Sequence, residues 1–154
     1  MDKTKKVTKS AKAGQLPSSE QETVTTQQAL DLGLQYHSAG DLPKAEHFYQ
    51  QLLKSEPNHP EALHLLGVVS HQGGKNNTAL DLIMKALAIK PEFAEAQSNL
   101  GTILQELGKL DDALVHYRKA IKIKPDYAKA HSNLGATLQK LGRLEEAVTY
   151  CHNA

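Results

Sequence analysis

Eight histidines are the residues of this sequence that could bind a metal ion or transfer a proton. His64 and His71 lie seven positions apart, and a helix separates such residues by about 10.5 Å, too far to share one ion. His37 and His71 are 34 positions apart, where neighbouring helices would hold them about 10 Å from each other. No serine or cysteine is paired with a base, and no phosphate loop or dinucleotide fingerprint is present. The sequence therefore predicts no enzyme, no metal site and no cofactor.

A reactive cysteine needs an exposed thiol of lowered pKa. The single cysteine of this chain, Cys151, holds the position that Tyr49, Ile83 and Tyr117 occupy at earlier steps of 34 along the sequence. Because free cysteine usually behaves as a small buried apolar residue, we predict a buried and unreactive Cys151. One cysteine also excludes an internal disulfide framework and a cysteine-rich zinc module.

The charge balance argues against a nucleic-acid binder. Lys and Arg number 18 against 17 Asp and Glu, a net charge of +1, whereas binding through bulk charge needs a clear basic excess. Residues 1–22 are rich in lysine and poor in large apolar side chains, so we expect this segment to be disordered. No apolar run approaches the about 18 residues of a membrane span, and no signal-peptide stretch is present. We expect a cytoplasmic protein with neither a nucleic-acid nor a membrane partner.

A 34-residue repeat organises the rest of the chain. Four series of residues recur at this step, too regularly to be chance. They are Gly33, Gly67, Gly101 and Gly135; Gly40, Gly74, Gly108 and Gly142; Ala45, Ala79, Ala113 and Ala147; and Pro57, Pro91 and Pro125. The repeat also accounts for an aromatic fraction of 5% without tryptophan, because stacked units pack on their neighbours and need no single large core.

Each unit is predicted to be a pair of helices. In the third unit, apolar residues between positions 96 and 107 recur at three- and four-residue steps, which is typical of an amphipathic helix. Gly108 suits the left-handed position that ends such a helix. A second apolar stripe follows over residues 110–121, and Pro125 ends that helix. The mid-helix Gly101 predicts a close helix crossing, with Ala113 on the partner helix as its other half.

With these four recurring series of residues, the chain resembles the tetratricopeptide repeat family. The match covers residues 26–154 and includes the in-register pairs Leu32-Gly33, Leu66-Gly67, Leu100-Gly101 and Leu134-Gly135. The resemblance implies an all-α fold, a right-handed α-α superhelix of antiparallel helix pairs. Its units are residues 26–59, 60–93, 94–127 and an incomplete 128–154. The bulky residue usual near the start of a unit is replaced by Ala29, Leu63, Gln97 and His131.

The resemblance also implies an inner, concave face lined mainly by the first helix of each pair. The candidate binding residues on that face are His37, His64, His71, Glu95, Ser98, Asn99, Thr102, Gln105, Lys129, Ser132, Asn133 and Gln139. Asn99 and Asn133 hold equivalent positions, and an amide side chain can pair with the backbone of an extended peptide. The runs around them are similar to the asparagine ladder in the tetratricopeptide region of O-GlcNAc transferase-like proteins. Asp31 and Leu65 interrupt the ladder, which limits such a groove to the C-terminal half.

The leading functional hypothesis is a scaffold that binds an extended peptide or a partner helix on the concave face. A terminal-carboxylate clamp is not expected, because Leu30, Leu34 and Leu65 offer no donor where the family's clamp needs one. An alternative is the substrate-recruiting part of a glycosyltransferase resembling O-GlcNAc transferase, with its catalytic domain beyond residue 154.

Self-association is a third hypothesis. No capping helix follows the fourth unit, so we expect the chain to be part of a longer protein. Without a cap, an apolar strip near Leu138, Leu141, Ala147 and Cys151 would be exposed and would favour association.

Overall fold

A computed structural model describes residues 24–143 and 151–152. Within these residues the chain forms seven α-helices and no strand. They are α1 (Thr26–Ser38), α2 (Leu42–Ser55), α3 (Pro60–Gln72), α4 (Asn76–Ile89), α5 (Ala94–Glu106), α6 (Leu110–Ile123) and α7 (Ala128–Lys140). The N-terminal segment 1–22 and most of the second helix expected in the fourth unit lie outside the described residues.

The helices alternate as the repeat predicts. The first helix of each pair, namely α1, α3, α5 and α7, begins one full repeat after its predecessor. In the first three pairs it packs on the second helix of its own pair, and that second helix packs on the first helix of the next pair. The prediction of an all-α superhelix of stacked helix pairs is confirmed.

The helix ends follow from local chemistry. The Thr25 hydroxyl accepts from the backbone N–H of Gln28, whose side chain accepts from the backbone N–H of Thr25, so α1 begins with a capping box. Each of α1, α3, α5 and α7 ends before a glycine with φ between 73° and 80°. At Gly108, the N–H groups of Gly108 and Lys109 donate to the carbonyls of Gln105 and Leu104. This Schellman turn requires the left-handed conformation that glycine adopts without strain.

The close crossing predicted at Gly101 is present, and its nearest contact is the ring of Tyr117. Ala113, the predicted other half, is fully buried on the same helix, and its equivalent Ala79 places its carbonyl against Gly67. A Cβ atom added to Gly101 would lie 2.6 Å from Cε1 of Tyr117, on α6. Tyr117 is fully buried, so its ring cannot move aside. The same contact recurs one repeat earlier, where Gly67 lies under Ile83. Each of the first three pairs is thus held by a large second-helix side chain that lies on bare first-helix backbone.

Two polar residues replace the bulky residue near the start of a unit, and both are buried. The Gln97 amide donates to the carbonyl of Pro91 at 3.3 Å, and Nε2 of His131 bonds the carbonyl of Pro125 at 2.7 Å. Each therefore satisfies a carbonyl in the turn that precedes its helix. This pairing removes most of the cost of burying a polar side chain.

The predicted apolar strip in the fourth unit is wrong at Leu138, and the separate prediction of a buried Cys151 is also wrong. Leu138 is fully buried, because it packs in the cluster that contains Ile103 and Leu134. Cys151 is exposed, not buried as predicted. At the equivalent position, Tyr117 packs in the same cluster as Leu134 of the following first helix, and no described residue gives Cys151 such cover. Leu141 is half-buried, and Ala147 lies outside the described residues.

The contact between Gly101 and Tyr117 predicts the effect of Gly101→Leu. Leucine gains about 1 kcal/mol of helix propensity over glycine, but overpacking a buried contact costs about 1–3 kcal/mol, and a full leucine side chain at this distance exceeds that range. We therefore expect a clear net loss of unfolding free energy in urea titrations. Gly73→Leu is the matched control, because a Cβ there meets only backbone atoms at 3.5 Å. Equal stability of the two variants would contradict the crossing.

Candidate functional site

The candidate site is the inner face of the solenoid, which the first helices α1, α3, α5 and α7 line side by side. Neighbouring first helices contact each other directly: α3 contacts α5, and α5 contacts α7. Because these helices run parallel at a step of one repeat, each column of equivalent positions crosses the face as a row. All twelve predicted site residues belong to these helices, and the structure shows which of them are open to solvent.

Three of the hydrogen bonds between neighbouring first helices are made by histidines, each to a residue 35 positions later. Nε2 of His37 bonds Oε1 of Gln72, and Nε2 of His71 bonds Oε2 of Glu106, both at 2.8 Å. Nε2 of His64 bonds the Asn99 amide nitrogen, also at 2.8 Å. The three histidines therefore bond residues of other types and not one another. This includes His37 and His71, which hold equivalent positions one repeat apart. Each ties its helix to the next.

His64 is a buried histidine that accepts a hydrogen bond. Only 7% of the residue is exposed, and its ring lies edge-on to Phe93 with centroids 4.7 Å apart. The pKa of His64 is lowered to about 4, chiefly because the ring is buried; Glu95 acts to raise it and Lys129 to lower it. The ring is therefore neutral near pH 7, which leaves Nε2 free to accept from the Asn99 amide.

The boundary between α5 and α7 is joined by different groups. Oε1 of Gln105 accepts at 2.9 Å from the Tyr117 hydroxyl. The Thr137 hydroxyl shares its single hydrogen between Oε1 of Gln105, at 2.9 Å, and the Asn133 carbonyl, at 2.8 Å. Burial raises the pKa of Tyr117, so the phenol stays protonated and donates. Nζ of Lys129 donates to Oδ1 of Asn99 at 3.2 Å. Asn99 consequently has a partner on each side, one on α3 and one on α7.

The predicted site residues differ in their access to solvent. Ser98 is fully buried, so its prediction as a surface contact is corrected: the side chain faces the core. Thr102 is half-buried and donates to the Ser98 carbonyl. Glu95, Ser132 and Gln139 are exposed.

Asn133 is the half-buried amide of this face that stays open to a ligand. It stands on α7 at the position equivalent to Asn99. Its backbone carbonyl accepts from the Thr137 hydroxyl at 2.8 Å. Its side chain makes no hydrogen bond with any residue that the structure describes. Its amide is therefore available for an external ligand.

The face is apolar at one end and polar at the other. Leu34 of α1 is 41% exposed, and Val68 of α3 is half-buried beside it in the same row. Thr102 and Ala136 continue that row on α5 and α7. Such a face can take an aliphatic side chain at one end and hydrogen-bond a backbone at the other. In the described part of the chain, no three metal-ligating side chains cluster and no helix is long and apolar enough to cross a bilayer.

The hydrogen bonds by which Gln72, Glu106 and Thr137 join neighbouring first helices were not predicted from the sequence. The signal was available, because two parallel helices one repeat apart also bring together residues one position out of step. An acceptor or donor 35 positions after each of His37, His64 and His71 was visible in the sequence. Which of these pairs bonds depends on helix rotation, and the repeat length alone does not specify that rotation.

Comparisons with known proteins agree with this architecture. A profile described as a tetratricopeptide repeat matches residues 36–101, and one described as a TPR repeat matches residues 101–142. A crystal structure of MamA is similar with a TM-score of 0.79 and 25% identity, over 87% of this chain and 78% of that chain. MamA from Desulfovibrio magneticus RS-1 gives a TM-score of 0.75 and 23% identity, over 84% and 73% of the two chains.

A mutant O-GlcNAc transferase from Thermobaculum terrenum is also similar, with a TM-score of 0.73 and 30% identity. The match covers 76% of this chain but 22% of the enzyme. A comparison with curated protein sequences gave no match.

The environment of His64 predicts an acid-dependent loss of stability. The unfolded chain binds a proton on this histidine near the ordinary pKa of 6.5, but the folded chain does so only near 4. The stabilisation from a neutral His64 is therefore complete above pH 6.5 and is lost as the pH falls toward 4. One unit of pKa shift corresponds to about 1.4 kcal/mol, so we expect a loss of about 2 kcal/mol in unfolding free energy between pH 7 and pH 5.

Urea titrations of His64→Leu, which introduces the residue found at the equivalent Leu30, measure this contribution. The unfolding free energy of the variant should depend less steeply on pH. The pH dependence that remains should come from His116, because burial lowers the pKa of that residue too. His47→Leu changes an exposed histidine and should keep the wild-type slope. An unaltered slope in His64→Leu would show that His64 is not the buried neutral group.

Proposed function

Because the chain belongs to the tetratricopeptide repeat family, we propose that it is a non-catalytic scaffold that binds an extended peptide of a partner protein on its inner face. The observation that carries the proposal is the pair of equivalent asparagines on α5 and α7, of which the Asn133 side chain makes no hydrogen bond to a described residue. An amide offers an acceptor and two donors, which is the complement of a peptide group. Amides at one step of a solenoid therefore suit a ligand that is read through its backbone.

Asn99 contributes to binding although it already has two partners. Its nitrogen carries two hydrogens and bonds His64 with one of them, while its oxygen accepts from Lys129 through one of two lone pairs. One donor and one acceptor site thus remain. The two existing bonds hold the amide in one orientation before a ligand arrives, which reduces the entropy lost on binding.

The apolar end of the face adds a side-chain pocket to this backbone contact. Leu34 and Val68 lie on α1 and α3, where Asp31 and Leu65 replace the asparagines. A ligand that follows the face would place an aliphatic residue there and run its backbone past Asn99 and Asn133. Ser132, Gln139 and Glu95 remain as exposed flanking contacts.

The glycosyltransferase alternative has weaker support. The similarity to the Thermobaculum terrenum enzyme covers 22% of that chain, whereas the similarity to MamA covers 78% of its chain. The resemblance to the enzyme thus concerns the repeat scaffold. Self-association through the fourth unit keeps part of its support, since Leu138 is buried but Cys151 is exposed.

We place the scaffold in the cytoplasm. Cys151 is a free and exposed thiol, and such a thiol persists in a reducing compartment but is readily oxidised outside one.

The asparagine contact is tested with peptides of about 12 residues selected from a random display library on the full chain. For a peptide that binds on the inner face, Asn133→Ala should weaken the affinity about fivefold to tenfold, as expected for loss of one or two hydrogen bonds. Fluorescence anisotropy of the labelled peptide measures this change. Asn77→Ala is the matched control, because Asn77 is an exposed asparagine on α4, a second helix.

Backbone recognition gives a second readout. N-methylation of the peptide amide that faces Asn133 should abolish the difference in affinity between the wild-type chain and Asn133→Ala. Alanine substitution of neighbouring peptide side chains should leave that difference in place. The proposal fails if every selected peptide binds Asn99→Ala and Asn133→Ala as tightly as it binds the wild-type chain.

A further inference from the structure

A second surface, away from the inner face, has the character of a binding groove. It lies between the second helices α4 and α6, with α5 beneath them, and encloses about 520 Å³. Its walls include Met84 and Val115, which are 54% and 47% exposed. Leu80 and Leu87 are half-buried beside them, and Leu100 forms part of the floor. Exposed methionine and valine at such positions leave apolar surface in contact with water.

The preceding repeat provides an internal comparison for this groove. Subtracting 34 from each position shows what the same structural site holds one repeat earlier. Leu80 corresponds to Glu46, Met84 to Gln50 and Val115 to Asp81. Three polar or acidic positions have thus become apolar, so the architecture of the repeat does not itself require an apolar groove here. The change is particular to the boundary between α4 and α6.

Two lysines at the rim are retained from the preceding repeat, whereas Ala88 replaces Lys54 and Asp112 replaces Thr78 in the same lining. Lys109 and Lys119 line the groove and correspond to Lys75 and Lys85 one repeat earlier. Nζ of Lys75 lies 3.7 Å from Oε1 of Glu46. Leu80 replaces that glutamate in the α4–α6 groove, and neither Lys109 nor Lys119 has a carboxylate within salt-bridge distance among the described residues. Asp112 is the one acid in the lining.

We propose that the groove between α4 and α6 binds an amphipathic helix of a partner protein that bears carboxylates beside its apolar face. The apolar side chains of that helix would cover Met84 and Val115. A carboxylate of that helix would form an ion pair with Lys109, as Glu46 does with Lys75. The walls are helices with satisfied backbones, so they offer no strand edge, and a helix laid in the groove satisfies its own backbone groups. This site is independent of the inner face.

The experiment uses the full chain and two labelled amphipathic helical peptides of about 16 residues, with leucines on one face. The flanking positions carry glutamate in one peptide and lysine in the other. The acidic peptide should bind at least about tenfold more tightly than the basic one, and added salt should reduce the difference. Lys109→Gln should reduce the preference for the acidic peptide and leave the basic peptide unaffected.

The double variant Met84→Gln, Val115→Asp restores the residues of the preceding repeat and should weaken binding of the acidic peptide by at least about tenfold. Both positions are exposed, so the helical circular dichroism and the urea midpoint should stay unchanged. Ile89→Gln is the matched control, because Ile89 is 45% exposed and does not line the groove. Asn133→Ala should bind the acidic peptide normally, which separates this site from the inner face.

Three results would overturn the proposal. The first is equal affinity of the acidic peptide for the wild-type chain and the double variant. The second is a wild-type dimer in light scattering that the double variant converts to monomer, since a second copy would then fill the groove. The third is saturation of the groove by a long-chain fatty acid while neither peptide binds.

Discussion

The structure depends on a close contact between the two helices of each pair. A first-helix glycine leaves bare backbone, and a large second-helix side chain lies directly on it, as Tyr117 does on Gly101. Because the ring occupies the space of a missing side chain, it sets both the distance and the rotation of the pair. The same rotation directs the remaining face of the first helix toward the inside of the solenoid. Tyr117 joins both roles, since its hydroxyl also bonds Gln105 on the inner face.

The rows of polar residues on the inner face have two tasks. Some, including His37, His64 and His71, hold neighbouring first helices together across the step of one repeat. Others, of which Asn133 is the clearest, remain open. The histidines thus act as structural hydrogen-bonding groups, and the burial that lowers the pKa of His64 keeps it in the form that accepts from Asn99. A rigid row of this kind is a suitable support for a peptide ligand.

A repeat protein also allows its own positions to be compared with one another. Positions that keep their character in every unit are those that packing requires, such as the glycines and alanines of the helix crossing. Positions that change without a packing reason stand out against that background. The exchange of Glu46, Gln50 and Asp81 for Leu80, Met84 and Val115 is one such change. It makes the outer groove between α4 and α6 chemically distinct from its neighbour, although both are built on the same backbone.

The sequence by itself determined the repeat length, the helix pairs, their glycine ends and the family, because these follow from spacing and from backbone conformations that few residues adopt. It also identified the inner-face columns that contain Asn99 and Asn133. Only the tertiary structure decided that the ring of Tyr117 lies directly on Gly101, that Ser98 and Leu138 are buried, and that Cys151 is exposed. The physical reason is that spacing assigns a residue to a helix face, whereas its partners depend on how far each helix rotates and shifts against the next.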